Sequence, residues 1–176
     1  ISLRNESGDE CGPEEPGELF SISPYLFNGY WKNQAETDAA FLDGWVSVGD
    51  IARRDADGYL YIIDRKKDMV ISGGTNIYPR EVENVLGQHP MILEAGVIGV
   101  PDEKWGERLK AFVVISDEGS FAPDQIISFA ESHLAKYKVP KDFEVISQLP
   151  RNANGKVLKA VLRERTQTSI NEEKVS

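Results

Sequence analysis

Residues Asp64-Arg65-Lys66-Lys67-Asp68 place five charges in a row. Five adjacent charged side chains cannot be buried together, so this segment is an exposed connector. The composition changes at the same point. Residues 1–63 carry 12 acids and 4 bases, a net of −8, whereas residues 64–176 carry 17 acids and 16 bases, a net of −1. The segment therefore reads as a linker between two differently built parts. A chain of 176 residues has room for one full domain, or for a small domain with part of another.

The two parts carry different signals. Residues 1–17, rich in Glu, Gly and Pro, are expected to be loose. Residues 18–63 read as short strands and turns, with a hairpin whose arms, 48–53 and 59–63, flank Asp55-Ala56-Asp57-Gly58. This is too little material for an independent core. Residues 1–63 are read as the end of a larger β-rich domain, and 64–68 as a hinge. Beyond it, Met69-Val70-Ile71 is a strand ended by Ser72-Gly73-Gly74. A helix opens at Tyr78-Pro79-Arg80-Glu81, with proline and acids in its first turn. Residues 95–100, 109–115 and 143–146 read as strands. Residues 123–135 read as a helix, as does the stretch from Lys156 to about Arg165. Residues 69–166 thus predict a small α+β domain with one compact sheet and about three helices. Residues 167–176 are expected to form a flexible polar tail.

A hydrophobic share of 40% and a charged share of 28% are those of a soluble globular protein. No apolar stretch is long enough to cross a bilayer, and the first residues have no apolar signal core. The chain has no initiator Met, which suggests that it starts inside a longer protein. The single cysteine, Cys11, leaves no internal disulfide framework and fits a reducing compartment. A net charge of −9 argues against a nucleic-acid partner. The bases cluster in the second part, which suits a small polyanionic ligand better than a long polymer.

Several familiar patterns fail on inspection. Gly155-Lys156 lacks the earlier glycine and the following hydroxyl of a phosphate loop, since Pro150 and Val157 stand there. Asp55-Ala56-Asp57-Gly58 begins like a calcium loop, but Lys66 occupies the position of the closing glutamate. His89 and His133 have no partners at ligand spacing, and Cys11 has no evident base.

Three features survive. Asp50 ends Gly44-Trp45-Val46-Ser47-Val48-Gly49-Asp50, and one carboxylate has two acceptor oxygens for a pair of adjacent hydroxyls. Gly73-Gly74 allows positive φ or close approach of backbone to a ligand. Lys156 follows the polar Asn152-Ala153-Asn154-Gly155 turn, where a compact positive charge can be delivered to a phosphate or carboxylate.

Taken together in this order, Asp50, Arg65 and Lys156 with their flanking residues resemble the C-terminal part of the adenylate-forming enzymes. That superfamily comprises acyl- and aryl-CoA synthetases, peptide-synthetase adenylation domains and beetle luciferases. The resemblance runs from Gly17-Glu18-Leu19 and Gly29-Tyr30-Trp31 to the last helix. It implies that residues 69–166 are a lid domain, preceded by strands from the end of a large N-terminal domain. It implies ATP contacts for Asp50 (on the ribose), Arg65 and Asn76, and a pivot at Lys67. It implies that Lys156 is the catalytic lysine of adenylate formation. Ser72, Gly73, Gly74 and Thr75 would line the thiol tunnel, and Lys138 would meet CoA phosphate. ATP and CoA are the implied cosubstrates, with Mg2+ bound outside these residues. Ile71-Ser72-Gly73-Gly74-Thr75-Asn76-Ile77-Tyr78-Pro79 looks like the fatty acyl- and aryl-CoA synthetase version. Val48 departs from the more usual Thr or Ser before Gly-Asp.

The implied partners are the missing large domain, CoA and an acyl substrate, without nucleic acid or a transmembrane segment. The implied location is cytoplasmic, with peripheral membrane contact through a fatty acyl substrate. Because the phosphate loop and acyl pocket belong to the large domain, this chain alone is predicted to form no adenylate. Two other readings stand beside this one: the lid of an amino-acid-activating domain, and a non-catalytic interaction module of the same fold.

Overall fold

The computed structural model describes residues 1–116 and 122–173, with side chains described through Gln167. It resolves two compact units, Ile1–Lys67 and Asp68–Ser176.

The first unit contains β1 (Ser2–Arg4), β2 (Gly17–Ser21), α1 (Gln34–Ala40), β3 (Phe41–Leu42), β4 (Trp45–Arg54) and β5 (Leu60–Arg65). Strand β4 is central. It pairs antiparallel with β2, with β3 at its start and with β5 along its second half. The β4/β5 turn is built on Asp55, whose Oδ1 accepts the N–H groups of Asp57 and Tyr59, and Gly58 supplies a φ of +89°.

Two expectations need correction here. Residues 1–17 are not uniformly loose, because Ser2–Arg4 pairs with β2 and Leu3 is buried. Three residues are too few for a strand pattern to show in sequence. The stretch expected to hold only strands and turns also contains helix α1. Its start is fixed by Asn33, whose side chain accepts the Glu36 N–H.

The second unit has β6 (Val70–Ser72), β7 (Thr75–Ile77), α2 (Pro79–Leu86), β8 (Ile92–Asp102), β9 (Gly106–Ile115), α3 (Pro123–His133), β10 (Asp142–Val145) and α4 (Lys159–Glu173). Its sheet runs β10-β9-β6-β7, with β8 paired along β9. Among the described residues of this sheet, only the β10/β9 pairing is parallel. The alternation along β9 divides the core. Leu109, Ala111 and Val113 join a cluster with Val82 and Leu86 of α2 and Ile126 and Ala130 of α3. Phe112 joins the other cluster, with Ile98, Ile146, Leu149 and Leu162 of α4. Both faces of the hairpin are thus covered by helices, which is the α+β architecture the sequence predicts.

The last helix starts later and runs further than expected, from Lys159 through Glu173. Much of the segment assigned to a flexible tail therefore has helical backbone, while 174–176 lie outside the described residues. Once the Leu162 turn is docked, adding further helical residues is cheap compared with starting a helix. Thr166 is buried and donates to the Leu162 carbonyl. No helix of the described residues is long and apolar enough to cross a membrane.

Candidate functional site

The expected nucleotide pair meets in the first unit. Asp50 and Arg65 are direct cross-strand partners on β4 and β5, and Arg65 Nη1 donates to Asp50 Oδ1 at 2.9 Å. Arg65 Nε is buried and has no acceptor among the described residues. Asp50 sits on an irregular stretch of β4. Glu18 pairs with Ile51 and Phe20 with Ser47, so β4 carries extra residues between the two rungs. Gly49 lies in this bulge with φ +77°. Lys67, the expected pivot, is exposed in a short 3-10 turn, Lys66–Asp68, and is the last residue of the first unit.

In the second unit, Ser72 and Thr75 are opposed in the β6/β7 hairpin, joined by Gly73 and Gly74 at φ +56° and +79°. Two consecutive positive φ values give the turn that suits the twist of a two-residue hairpin. The Gly73 N–H donates to the Trp105 carbonyl at 2.8 Å, and a Cβ at Gly73 would lie 2.8 Å from the Trp105 ring. The hairpin is therefore fixed to the turn between β8 and β9. Gly73, Gly74, Thr75 and Asn76 are exposed, and Ser72 is half-buried.

The lysine turn is also built. Asn152 Oδ1 accepts the N–H groups of Asn154 and Lys156, and the Asn152 N–H donates to the Lys156 carbonyl at 2.9 Å. Arg151 and Val157 form a bridge across it, and Gly155 has φ +79°. Arg151 donates to the Gly155 carbonyl at 2.5 Å and to Glu94 Oε2 at 2.9 Å. The polar turn before Lys156 is thus an organised loop riveted to the start of β8. The Lys156 ammonium is exposed and unpartnered among the described residues.

These anchors fix where the two elements lie. Glu94 is near the start of β8, and Trp105 lies beyond its end. At the rise of an extended strand, Glu94 and Asp102 are roughly 25 Å apart. The lysine turn and the glycine hairpin therefore lie at opposite ends of the β8/β9 hairpin.

Lys138 is placed differently from a free phosphate ligand. Its ammonium lies 2.7 Å from both oxygens of Glu81, in the first turn of α2. Sequence reasoning did not single out Trp105, Glu94 or Arg151 in these supporting roles. Arg151 and Glu94 are 57 residues apart, and no local pattern marks such a pair. Cys11 is held away from thiolate character: burial and the neighbouring Glu15 and Glu10 push its thiol up. Among the described residues no group of three or more His, Cys, Asp or Glu is placed to hold a metal ion.

Residues 81–156 match the model of the AMP-binding enzyme C-terminal domain. The chain is 43% identical to a long-chain-fatty-acid–CoA ligase of Yersinia pestis over 93% of its own length and 29% of the relative's. It is 44% identical to a feruloyl-CoA synthase of an Amycolatopsis species over 94% of its length and 34% of the relative's. The chain belongs to the adenylate-forming superfamily. Its fold agrees with the solved o-succinylbenzoate CoA synthetase of Bacillus subtilis in complex with an acyl-adenylate intermediate. The TM-score is 0.85 at 39% identity, over 93% of this chain and 33% of that one. The chain spans about a third of the length of the relatives it matches.

Proposed function

We propose that this chain is the lid and adjoining strands of an ATP-dependent acyl-CoA ligase. The reaction joins a carboxylic acid to AMP with release of pyrophosphate, then exchanges AMP for the CoA thiol. The observation that carries this reading is the separation of the lysine turn from the glycine hairpin along β8. One rigid unit cannot bring both to the same reacting carbon at once. It can bring them in turn if it swivels, with Lys67 as the pivot.

Each step makes a different demand. Attack of a carboxylate on the α-phosphate brings two anions together. The Lys156 ammonium stabilises the charge that develops there, a role worth about 3 kcal/mol for one well-placed donor. Asp50 takes the ribose hydroxyls, with Arg65 and Asn76 completing the nucleotide contacts. In the thiol step a lysine side chain would obstruct the incoming nucleophile. The Ser72-Gly73-Gly74-Thr75 hairpin then lines the path, and its glycines permit close approach. Lys138 would meet a CoA phosphate only in competition with Glu81. Mg2+ accompanies ATP through residues outside this chain.

The acid is proposed to be a fatty acid, supported by the likeness to long-chain-fatty-acid–CoA ligases. Relatives named for feruloyl and 2-succinylbenzoate substrates match at similar identity, so an aryl acid is the second reading. The enzyme is proposed to be cytoplasmic, with any membrane contact made through its acyl substrate. The purified chain alone is expected to give no ATP–pyrophosphate exchange with a fatty acid. Added to the large domain that would precede it, the chain should restore exchange, and the Lys156→Ala chain should not. Exchange by the isolated chain, or equal rescue by Lys156→Ala, would refute the reading.

A further inference from the structure

Glu18 is the second residue of β2, and its side chain is only 18% exposed. Its two oxygens hold two different groups. Oε1 accepts the Ser47 hydroxyl at 2.6 Å, and Oε2 accepts the Lys66 ammonium at 2.7 Å. The Ser47 oxygen in turn accepts the Gly49 N–H at 3.0 Å. Gly49 precedes Asp50, Asp50 pairs with Arg65, and Arg65 precedes Lys66. The contacts close into a ring: Glu18, Ser47, Gly49, Asp50, Arg65, Lys66 and back to Glu18. A Cβ at Gly49 would stand 4.0 Å from the Lys66 Cβ, an ordinary contact distance across the ring.

This ring has a chemical consequence. The bulge that carries Asp50 has lost regular ladder bonding to β2. On the β2 side its geometry is held by the Ser47 hydroxyl, which Glu18 orients, while β5 keeps its rungs at Asp50 and Ile51. The same carboxylate holds the residue between Arg65 and Lys67. The Ser47 hydrogen bond to this carboxylate is about twice as strong as a neutral one, whereas the pair with Lys66, whose side chain is 58% exposed, is the weaker hold. Glu18 thus contacts both the bulge that carries Asp50 and the chain entering the pivot from a single side chain.

We propose that Glu18 is a positioning residue that couples the Asp50/Arg65 pair to the Lys67 pivot through Ser47 and Lys66. The proposal rests on the ligase reading above. Glu18→Gln keeps an acceptor for Ser47 but removes the charge that holds Lys66, whereas Glu18→Ala removes both. Glu18→Asp keeps the charge on a shorter arm.

The test uses the full-length ligase that carries this chain. ATP–pyrophosphate exchange is measured against ATP and against the acid, and thioester formation is measured from supplied acyl-adenylate. Glu18→Ala is expected to raise the KM for ATP about tenfold with the KM for the acid unchanged. Glu18→Gln and Lys66→Ala should each produce part of that effect, their double variant should be no worse than the stronger single one, and Glu18→Asp should recover most of the wild-type value. If Glu18→Ala does not fold, Glu18→Gln, Lys66→Ala and their double variant decide the matter by the same readout. An unchanged KM for ATP, an equal loss for ATP and acid, or simple additivity of Glu18→Gln and Lys66→Ala would overturn the proposal. A wild-type enzyme that gives neither half-reaction would instead overturn the ligase reading, so the two failures are distinct.

Discussion

Gly73 and Gly74 are neighbours of one type that answer different demands. Both hold positive φ, but only Gly73 also has no room for a Cβ, because of the Trp105 ring. Nothing lies within 4 Å of a Cβ built on Gly74. Gly74→Ala should therefore cost the backbone term alone, about 1–2 kcal/mol. Gly73→Ala should cost more, by displacing the ring. Urea unfolding of the two variants checks the order; equal losses would contradict it. The lysine turn makes a similar argument. Asn152→Ala removes the acceptor for the Asn154 and Lys156 N–H groups. It should lower ATP–pyrophosphate exchange in the full-length enzyme while leaving thioester formation from acyl-adenylate near wild type. Loss of both steps would assign Asn152 a broader structural role.

At the scale of elements, α4 is held by its first turns. Leu162 is 1% exposed and packs with Phe112 and Ile146. Leu162→Ala should cost about 2–5 kcal/mol through lost burial and a residual cavity. Glu144 of β10 ties the same helix to β9 by charge. Burial pushes its carboxyl up, but the hydrogen bonds from Lys110 and Arg165 outweigh that and hold it below the usual glutamate range. A depressed pKa gives stability that is full above the unfolded value, about 4.3, and lost as pH falls through the folded value. Between pH 6 and pH 3 the wild type should lose more stability than Glu144→Gln, as read by urea midpoints. Parallel curves would remove Glu144 from the account.

Long elements with strong patterns were legible in the sequence for a physical reason. The β9 alternation and the proline-opened α2 are dictated by burial and by backbone chemistry within a few residues. Strand β1 and helix α1 were not legible. The first is three residues whose pairing partner is β2, and the second is a seven-residue helix with a single buried side chain, Ala40. The candidate site divides in the same way. Asp50, Arg65, Gly73, Gly74 and Lys156 stand in recognisable local patterns. Their supports Glu94, Trp105 and Arg151 act across the fold and leave no local trace, and Glu18 stands in a recognisable motif that does not show its contacts with Ser47 and Lys66.

At the scale of the molecule, the two units differ in what they bury. The unit Asp68–Ser176 contains both hydrophobic clusters. The unit Ile1–Lys67 buries Leu3, Phe20, Ala40, Val46, Ile51 and Ala52 and leaves Tyr25 and Trp31 largely exposed. Residues 68–176 expressed alone should melt cooperatively with dispersed amide resonances, and residues 1–67 alone should not. A folded isolated 1–67 would show that this small sheet suffices as a core.

The central claim is that one rigid unit serves two reactions from its opposite ends. Its most direct test measures the two half-reactions separately in the full-length enzyme. Lys156→Ala should lower adenylate formation by about 10²–10³ and leave thioester formation from supplied acyl-adenylate unchanged. Gly73→Val should do the reverse. If each substitution lowered both half-reactions by the same factor, the two ends would not act in turn and the account would fail.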